Sequence, residues 1–264
     1  MLYLMSSIYI DLIMSKFSYL PFFISLISLG AGCAPVSPPP AWQNLGNGVE
    51  KRVLTNQGAG SATIVLYRLD SSRFRWQFAH DTVPHFISEW RQKFPEATMI
   101  LNGLYFNEDF SPTGFFKTGG LVVNQRMFDL DRSALLVLKD GFEIIDDPVE
   151  MRQAAKDETE AGQSYPLLIK NGWLNFPEES GLAARRTFLA TSKNHSLYVG
   201  IVPYAPLTLF EFMKALNQEP AFWLDILNLD GGSSSGISLR LPEFQETFDS
   251  LTPVPNVIVI SSIP

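Results

Sequence analysis

The chain has 264 residues, of which 46% are hydrophobic, and its formal net charge is −7. This length suits one sizeable domain better than two, and the acidic balance excludes the basic face that a nucleic-acid partner would need. The single cysteine, Cys33, excludes an internal disulfide and a thiolate metal cage.

The chain begins with a segment typical of an export signal. Its apolar run, 17–29, is too short to span a membrane comfortably and suits the hydrophobic region of a signal peptide. The short basic start Met14-Ser15-Lys16 precedes this run, so Met14 is a candidate for the true initiator. We therefore predict a signal peptide over residues 1–33.

Small residues before Cys33 resemble the lipobox of bacterial lipoproteins, although Gly30 stands where a leucine is usual. Ordinary signal-peptidase cleavage is the alternative. With a lipidated Cys33, we expect an exported, membrane-anchored lipoprotein of the bacterial cell envelope. Residues 34–44, which are rich in proline, would form an extended tether, and residues 45–264 would form the domain.

Strand-like segments dominate this domain, which predicts the α+β class: a single domain with a large mixed, mostly antiparallel sheet and a few flanking helices. The segments Ala62–Leu69 and Phe74–Phe78 alternate apolar and polar residues, as a hairpin with a turn at 70–72 does. Further strands are predicted at 99–101, 120–123, 134–138, 142–145, 167–169, 187–191, 197–202 and 257–260. Helices are predicted at 83–94, 148–158 and 209–217, the second capped by Asp147 and the third by Thr208.

Three polar segments lie at predicted strand ends. In the first, Asn102 and Gly103 end a strand, so that the side-chain amide of Asn102 points into a turn. In the second, Arg185 and Arg186 enter a strand and should point to opposite faces, and a guanidinium can grip a phosphate or carboxylate with two hydrogen bonds. A structural turn and a pair of surface charges are the alternatives.

The third segment is Leu227–Gly236, in which a strand delivers Asp230 to a loop of glycines and serines. Consecutive backbone N–H groups in such a loop can bind an anion, and Asp230 is a candidate acid, base or charge-stabilising group. The alternative is a flexible turn.

Gly232–Gly236 also fits the G-x-S-x-G pattern of serine hydrolases. That motif requires a helix after the serine and a histidine later in the chain. Here the residues from Ile237 alternate as a strand, and no histidine follows His195, so we reject this interpretation. We interpret all three histidines as structural or surface residues: His80, His85 and His195.

The three segments, in this order, resemble the phosphodiester glycosidase domain, a family that includes the enzyme that uncovers mannose 6-phosphate and many bacterial envelope proteins. The resemblance spans residues 60–262. It is carried by Asn102–Phe106, Pro112–Gly114, Tyr165–Leu168, Arg186-Thr187 and Leu227–Ser234. Leu104 departs from the family pattern, which usually has a second glycine there.

The resemblance implies a hydrolase that cleaves the glycosidic C–O bond of sugar 1-phosphodiesters of the N-acetylglucosamine type. Asp230 would activate water or stabilise an oxocarbenium-like centre, Arg186 would hold the phosphate, and Asn102 would orient the sugar. The implied substrate-binding residues are Arg185, Lys117, Tyr105, Thr187, Gly231, Gly232, Ser233 and Ser234. No cofactor is implied, although a divalent cation near Asp230 is compatible with the sequence.

Two alternatives remain at the level of the sequence. The first is a non-catalytic lipoprotein that binds anionic glycans in the same cleft. The second is a metal-dependent phosphodiesterase that cuts the P–O bond, for which the sequence shows no His/Asp ligand cluster.

Overall fold

The computed structural model describes residues 41–56, 62–175, 181–216 and 222–263. The predicted signal peptide, the lipidation site Cys33 and residues 34–40 of the predicted tether lie outside these ranges. The first strand starts at Gln43, inside the predicted tether, and the neighbouring Trp42 packs with its ring centroid 5.7 Å from that of Tyr198. In the described ranges, no helix has the length and apolar content needed to cross a membrane.

The described residues form many strands and three α-helices. The strands are β1 (Gln43–Gly46), β2 (Val49–Asn56), β3 (Ala62–Leu69), β4 (Phe74–His85), β5 (Met99–Asn102), β6 (Phe116–Thr118), β7 (Leu121–Asn124), β8 (Ala134–Lys139), β9 (Gly141–Ile145), β10 (Ala161–Ser164), β11 (Leu167–Lys170), β12 (Trp173–Leu174), β13 (Ala184–Ser192), β14 (Leu197–Leu207), β15 (Trp223–Asn228), β16 (Ile237–Arg240), β17 (Gln245–Phe248) and β18 (Val254–Ser262). The helices are α1 (Ile87–Lys93), α2 (Pro148–Asp157) and α3 (Leu209–Leu216).

The strands are distributed over three sheets. Sheet 1 has eight strands in the order β1-β2-β3-β14-β13-β15-β11-β12. Sheet 2 has the order β7-β6-β10-β8-β9, and sheet 3 has the order β17-β16-β5-β18-β4. The pairings between these strands are antiparallel. The α+β class predicted from the sequence is confirmed.

The three sheets enclose one central apolar core, and each helix covers the outer face of one sheet. Leu189 of sheet 1, Leu136 of sheet 2 and Leu101 of sheet 3 all lie in the central core. Their immediate neighbours face outward, because successive side chains of a strand point to opposite faces. These neighbours pack with the helices: Phe188 with α3, Leu135 with α2 and Ile100 with α1.

The predicted hairpin between Ala62–Leu69 and Phe74–Phe78 is wrong, although both segments are strands. Strand β3 is already paired on both edges, with β2 and β14, so β4 cannot join it. The Asp70 side chain accepts a hydrogen bond from the Ser72 N–H and caps a short 3-10 turn. After this turn, β4 pairs with β18 in sheet 3.

The predicted start of the first helix differs from the structure. Val83 belongs to strand β4, whose pairing with β18 continues to His85, so α1 begins only at Ile87. The predicted caps are confirmed: the Asp147 carboxylate accepts two backbone N–H bonds at the start of α2. Thr208 and Glu211 form the predicted reciprocal capping pair at the start of α3. Asn217, the predicted end of α3, lies outside the described residues.

Candidate active site

The ends of three strands bring the predicted polar segments together. Strand β13 carries Arg186 and pairs with β15, which ends at Asn228 just before the Asp230 loop. The Leu229 N–H donates to the Thr187 carbonyl at 2.9 Å, and the Asp230 N–H donates to the Gly103 carbonyl at 3.3 Å. The loop of Asp230 therefore connects the ends of two central strands of sheet 1 with the end of β5 in sheet 3.

Asn102 holds this loop in place. Its Nδ2 donates to the Asp230 carbonyl at 2.7 Å, and its Oδ1 accepts the Gly236 N–H at 3.0 Å. The side chain has no exposed surface, and both ends of the amide are used within the protein. We therefore assign Asn102 a positioning role, in place of the sugar contact that the family resemblance implied.

The next residues explain how Leu104 replaces the second glycine of the family pattern. Asn256, which is 1% exposed, accepts the Leu104 N–H at 2.6 Å and donates to the Leu104 carbonyl at 3.1 Å. A Cβ at Gly103 would overlap the Asn256 side chain, so this position needs glycine. The Leu104 side chain lies in the central core against Gly162. The Leu104 side chain therefore takes up no space in the candidate active site.

The pKa of the Asp230 carboxyl group is higher than the usual value for an aspartate. Burial raises the pKa of Asp230 to about 6, and hydrogen bonds from the Ser234 side chain and the Gly231 N–H partly offset that rise. The Gly231 N–H lies 2.8 Å from Oδ1. Near neutral pH, such a carboxyl group can exchange protons in either direction, as a general base or acid must.

Arg186 is a buried cation without an acidic partner. It is 8% exposed, and its Nε and Nη2 donate to the carbonyls of Leu207 and Leu182 at 3.2 and 2.8 Å. Within the described residues, its guanidinium forms no ion pair with a carboxylate. Its Nη1 lies 3.8 Å from the position that a Cβ of Gly231 would occupy. A buried guanidinium that is paired only with carbonyls retains a full charge for an anionic ligand.

The Tyr105 hydroxyl interacts electrostatically with both Asp230 and Arg186. Burial raises the pKa of Tyr105, the Asp230 carboxylate raises it further, and Arg186 opposes the rise. Asn228 Nδ2 donates to the Tyr105 hydroxyl at 2.6 Å, and the Tyr105 ring packs 4.7 Å from that of Tyr165. Sequence reasoning missed Asn228 and Tyr165 as site residues, although both stand inside the motifs that carried the resemblance.

Unpaired polar groups mark where a ligand could bind. Thr187 Oγ1 and Asn228 Oδ1 are buried and have no hydrogen-bond partner among the described residues, which is uncommon for buried polar atoms. Among the residues that the structure describes, the N–H groups of Gly232 and Ser233 find no hydrogen-bond acceptor. Gly232 has a φ of 63°, which glycine adopts without strain. The loop can therefore present backbone donors to an anion.

Of the remaining predicted binding residues, Arg185 lies near the Gly231 loop and Lys117 does not. The pairing of β13 with β14 shifts its register between Ala184 and Arg186, and at this irregularity the Nη2 of Arg185 donates to the Asp249 carbonyl at 3.0 Å. The Arg185 carbonyl lies 3.0 Å from the position of a Gly231 Cβ, so Arg185 also flanks the loop. The structure does not bring Lys117 to the site: its Nζ bonds to the carbonyls of Ala155 and Lys156 in the last turn of α2.

The rejection of the serine-hydrolase motif agrees with the structure. Gly232–Ser234 form a 3-10 turn, and the chain continues directly into strand β16 without a helix. In the described ranges, no group of three or more His, Cys, Asp or Glu side chains is arranged to hold a metal ion.

Asn102→Asp is expected to lower activity and stability together. A carboxylate at this position would face the Asp230 carbonyl instead of donating to it, and both groups are buried. We expect kcat to fall at least tenfold and the free energy of unfolding to fall by about 2 kcal/mol, measured by sugar release and urea melts. Asn107→Asp is the control, because Asn107 is exposed outside the site. An active, stable Asn102→Asp protein would contradict the positioning role.

Comparisons with known proteins agree with this geometry. The sequence profile of the family described as phosphodiester glycosidase matches residues 95–261, well over half of the chain. No curated protein sequence matches the chain.

Two solved structures share the fold. The catalytic domain of zebrafish N-acetylglucosamine-1-phosphodiester alpha-N-acetylglucosaminidase, auto-inhibited by its pro-peptide, superposes with a TM-score of 0.61 at 13% identity, covering 85% of this chain and 87% of that one. A hypothetical protein from Synechocystis superposes with a TM-score of 0.58 at 16% identity and the same coverage of this chain. This chain spans 64% of the Synechocystis protein. With the profile match, the convergent motifs place this chain in the phosphodiester glycosidase family.

Proposed function

We propose that this protein hydrolyses the glycosidic C–O bond of sugar 1-phosphodiesters of the N-acetylglucosamine type, in envelope or extracellular glycans. The observation that carries the proposal is the pairing of Asp230, whose pKa is raised, with the unneutralised Arg186 across the Gly231 loop. Asp230 suits proton transfer or charge stabilisation at the anomeric carbon, and Arg186 suits the binding of a phosphate.

The reaction follows from these positions. Water attacks the anomeric carbon as Asp230 accepts a proton from it, and the bond from that carbon to the bridging oxygen breaks. The electron pair stays on the oxygen, which leaves as a phosphate monoester. Because this leaving group is already stable as an anion, it needs cationic and N–H donors more than it needs an acid. Arg186 and the N–H groups of Gly232 and Ser233 are the donors that the site offers.

The pH dependence of the reaction should report the ionisation of Asp230. A base must be deprotonated, and burial raises the pKa of Asp230 to about 6. We therefore expect kcat/KM to rise about tenfold per pH unit below pH 6 and to level off above pH 7. The measurement is a pH profile between pH 4.5 and 8.5 with a diester whose own charge does not change in that range. A rate that falls as the pH rises through 6 would instead assign Asp230 as an acid.

The activity is tested by incubating the protein with N-acetylglucosamine 1-phosphate diesters and with cell-wall extracts, and by measuring free sugar by mass spectrometry. Glucose 1-phosphate diesters are the comparison for the sugar. Release of N-acetylglucosamine supports the proposal. Binding of these compounds without any turnover would support the non-catalytic glycan-binding alternative.

Export and anchoring through Cys33 are part of the same proposal, because a lipid anchor would hold the domain where glycans of the envelope lie. Lipidation adds apolar surface that favours the membrane. We expect the protein to fractionate with membranes and Cys33→Ala to abolish lipid labelling. Labelling that persists in Cys33→Ala would contradict an anchor at this residue, and an unlabelled but exported protein would indicate ordinary signal-peptidase cleavage.

A further inference from the structure

Two exposed apolar side chains belong to segments that are attached to the Gly231 loop and to the surroundings of Arg185. Tyr204 is 72% exposed, and Leu251 is 68% exposed. Single exposed apolar residues are ordinary on protein surfaces. These two differ because both are attached to the elements that hold the candidate active site.

The attachments are direct. The Leu251 N–H donates to the Ser233 carbonyl at 2.7 Å, so Leu251 is fixed to the loop that follows Asp230. The Tyr204 ring packs edge-on against Phe248, with centroids 5.7 Å apart. The charge of Arg185 interacts first with the Asp249 carboxylate and then with Tyr204. Phe248 precedes Asp249, whose carbonyl accepts the hydrogen bond from Arg185.

Arg185 retains unused hydrogen-bonding capacity beneath this surface. Its Nη2 is bonded to the Asp249 carbonyl, but its Nε and Nη1 are buried and have no hydrogen-bond partner among the described residues. The two neighbouring guanidinium groups therefore have different surroundings. Arg186 lies on the side of Tyr105, and Arg185 lies on the side of Asp249 and Tyr204.

A phosphodiester has two arms, and its phosphate stands between them. If Asp230 and Arg186 act on the sugar side, as the proposed function requires, the other arm can leave across Arg185. We propose that Arg185, Tyr204 and Leu251 form a subsite for this second arm, and that the arm is an alcohol with an alkyl chain. Arg185 binds the phosphate from this side, and Tyr204 and Leu251 contact the chain. A polyhydroxylated sugar alcohol would leave the apolar surface of Leu251 unmatched.

The test uses stable C-glycosidic phosphonates of N-acetylglucosamine, because binding can then be measured without hydrolysis. Three monoesters are compared by calorimetry on the wild-type protein: hexyl, methyl and glucosyl. We expect the hexyl ester to bind about tenfold more tightly than the other two, from the apolar surface that it buries. The double variant Tyr204→Ser/Leu251→Ser should lose this preference. Arg185→Met should weaken all three esters by a similar factor.

Leu121→Ser is the matched control, because Leu121 is 75% exposed on β7, outside the site; it should keep the preference. Equal binding of the three esters, tighter binding of the glucosyl ester, or a preference that survives in the double variant would overturn the subsite. Failure of the proposed function would appear differently, as a hexyl preference in binding with no sugar released from the hydrolysable hexyl diester.

Discussion

Asp230→Asn should abolish the hydrolysis of a sugar 1-phosphodiester and, at pH 8, make the folded protein more stable. The asparagine keeps the size of the side chain and one hydrogen-bond acceptor for the Gly231 N–H, but it can neither accept the proton of water nor carry a negative charge. We expect kcat to fall by at least about 10³-fold, as for other groups that act directly in the transition state.

The stability effect follows from the same pKa. Burial raises the pKa of Asp230 from 3.8 to about 6, so the folded protein binds this proton more tightly than the unfolded chain does. The contribution of Asp230 to stability is therefore greatest below pH 4 and declines as the pH rises through 6. Two pKa units correspond to about 2–3 kcal/mol. Asp230→Asn should gain about 2 kcal/mol at pH 8 and little at pH 4, measured by urea denaturation at both values.

Asp225→Asn is the matched control. Burial also raises the pKa of Asp225, on the same strand β15, and its carboxylate accepts the Asn171 N–H at 2.9 Å. Its hydrogen-bond partners in the described part of the chain are Asn171 and Thr191, which lie outside the site. The control should show a pH-dependent change of stability in the same direction and nearly full activity. Unchanged activity in Asp230→Asn would remove Asp230 from the mechanism, whatever its effect on stability.

Arg186→Lys should lower kcat/KM by about 10²- to 10³-fold. Lysine keeps the positive charge but loses the planar fork, so it cannot bond to the Leu207 and Leu182 carbonyls and to a phosphate together. A donor to developing negative charge is worth about this factor in other enzymes. The measurement is kcat/KM with a diester, and added methylguanidine should partly rescue an Arg186→Ala protein.

Arg91→Lys is the control for Arg186→Lys, because it removes a buried guanidinium that has no role in binding phosphate. Arg91 is 7% exposed, and its Nη2 donates to the Ser238 carbonyl at 2.6 Å, between α1 and β16. Its replacement should cost stability but leave kcat/KM of the folded protein unchanged. If Arg186→Lys also affected stability alone, the guanidinium would be a structural clamp and the assigned phosphate contact would be wrong.

The resemblance to the phosphodiester glycosidase domain predicted which segments meet. Asn102, Arg186 and Asp230 are more than 40 residues apart in the chain, and the resemblance implied that they share one site. Their roles were less predictable. Asn102 looked like a sugar ligand, but its amide is consumed by Asp230 and Gly236, which are distant in sequence.

Lys117 shows why a binding role is hard to judge from sequence. The resemblance implied that it binds substrate, whereas it belongs to β6 and its ammonium group caps the carbonyls at the end of α2. Strands such as β6, β10 and β12 have only two to four residues. They are held by their neighbours in the sheet and not by their own periodicity, so the sequence did not predict them. The pairing of β4 with β18 was equally hidden, because their registers depend on contacts across most of the chain.

The proposed function requires cleavage of the C–O bond, and hydrolysis in water enriched in oxygen-18 shows which bond is cleaved. A diester of N-acetylglucosamine 1-phosphate is hydrolysed in the labelled water, and the products are weighed by mass spectrometry at early times, before the anomeric hydroxyl exchanges with solvent. We expect the label in the released sugar and none in the phosphate monoester. Label in the phosphate would mean attack at phosphorus, and would contradict the role assigned to Asp230 at the anomeric carbon.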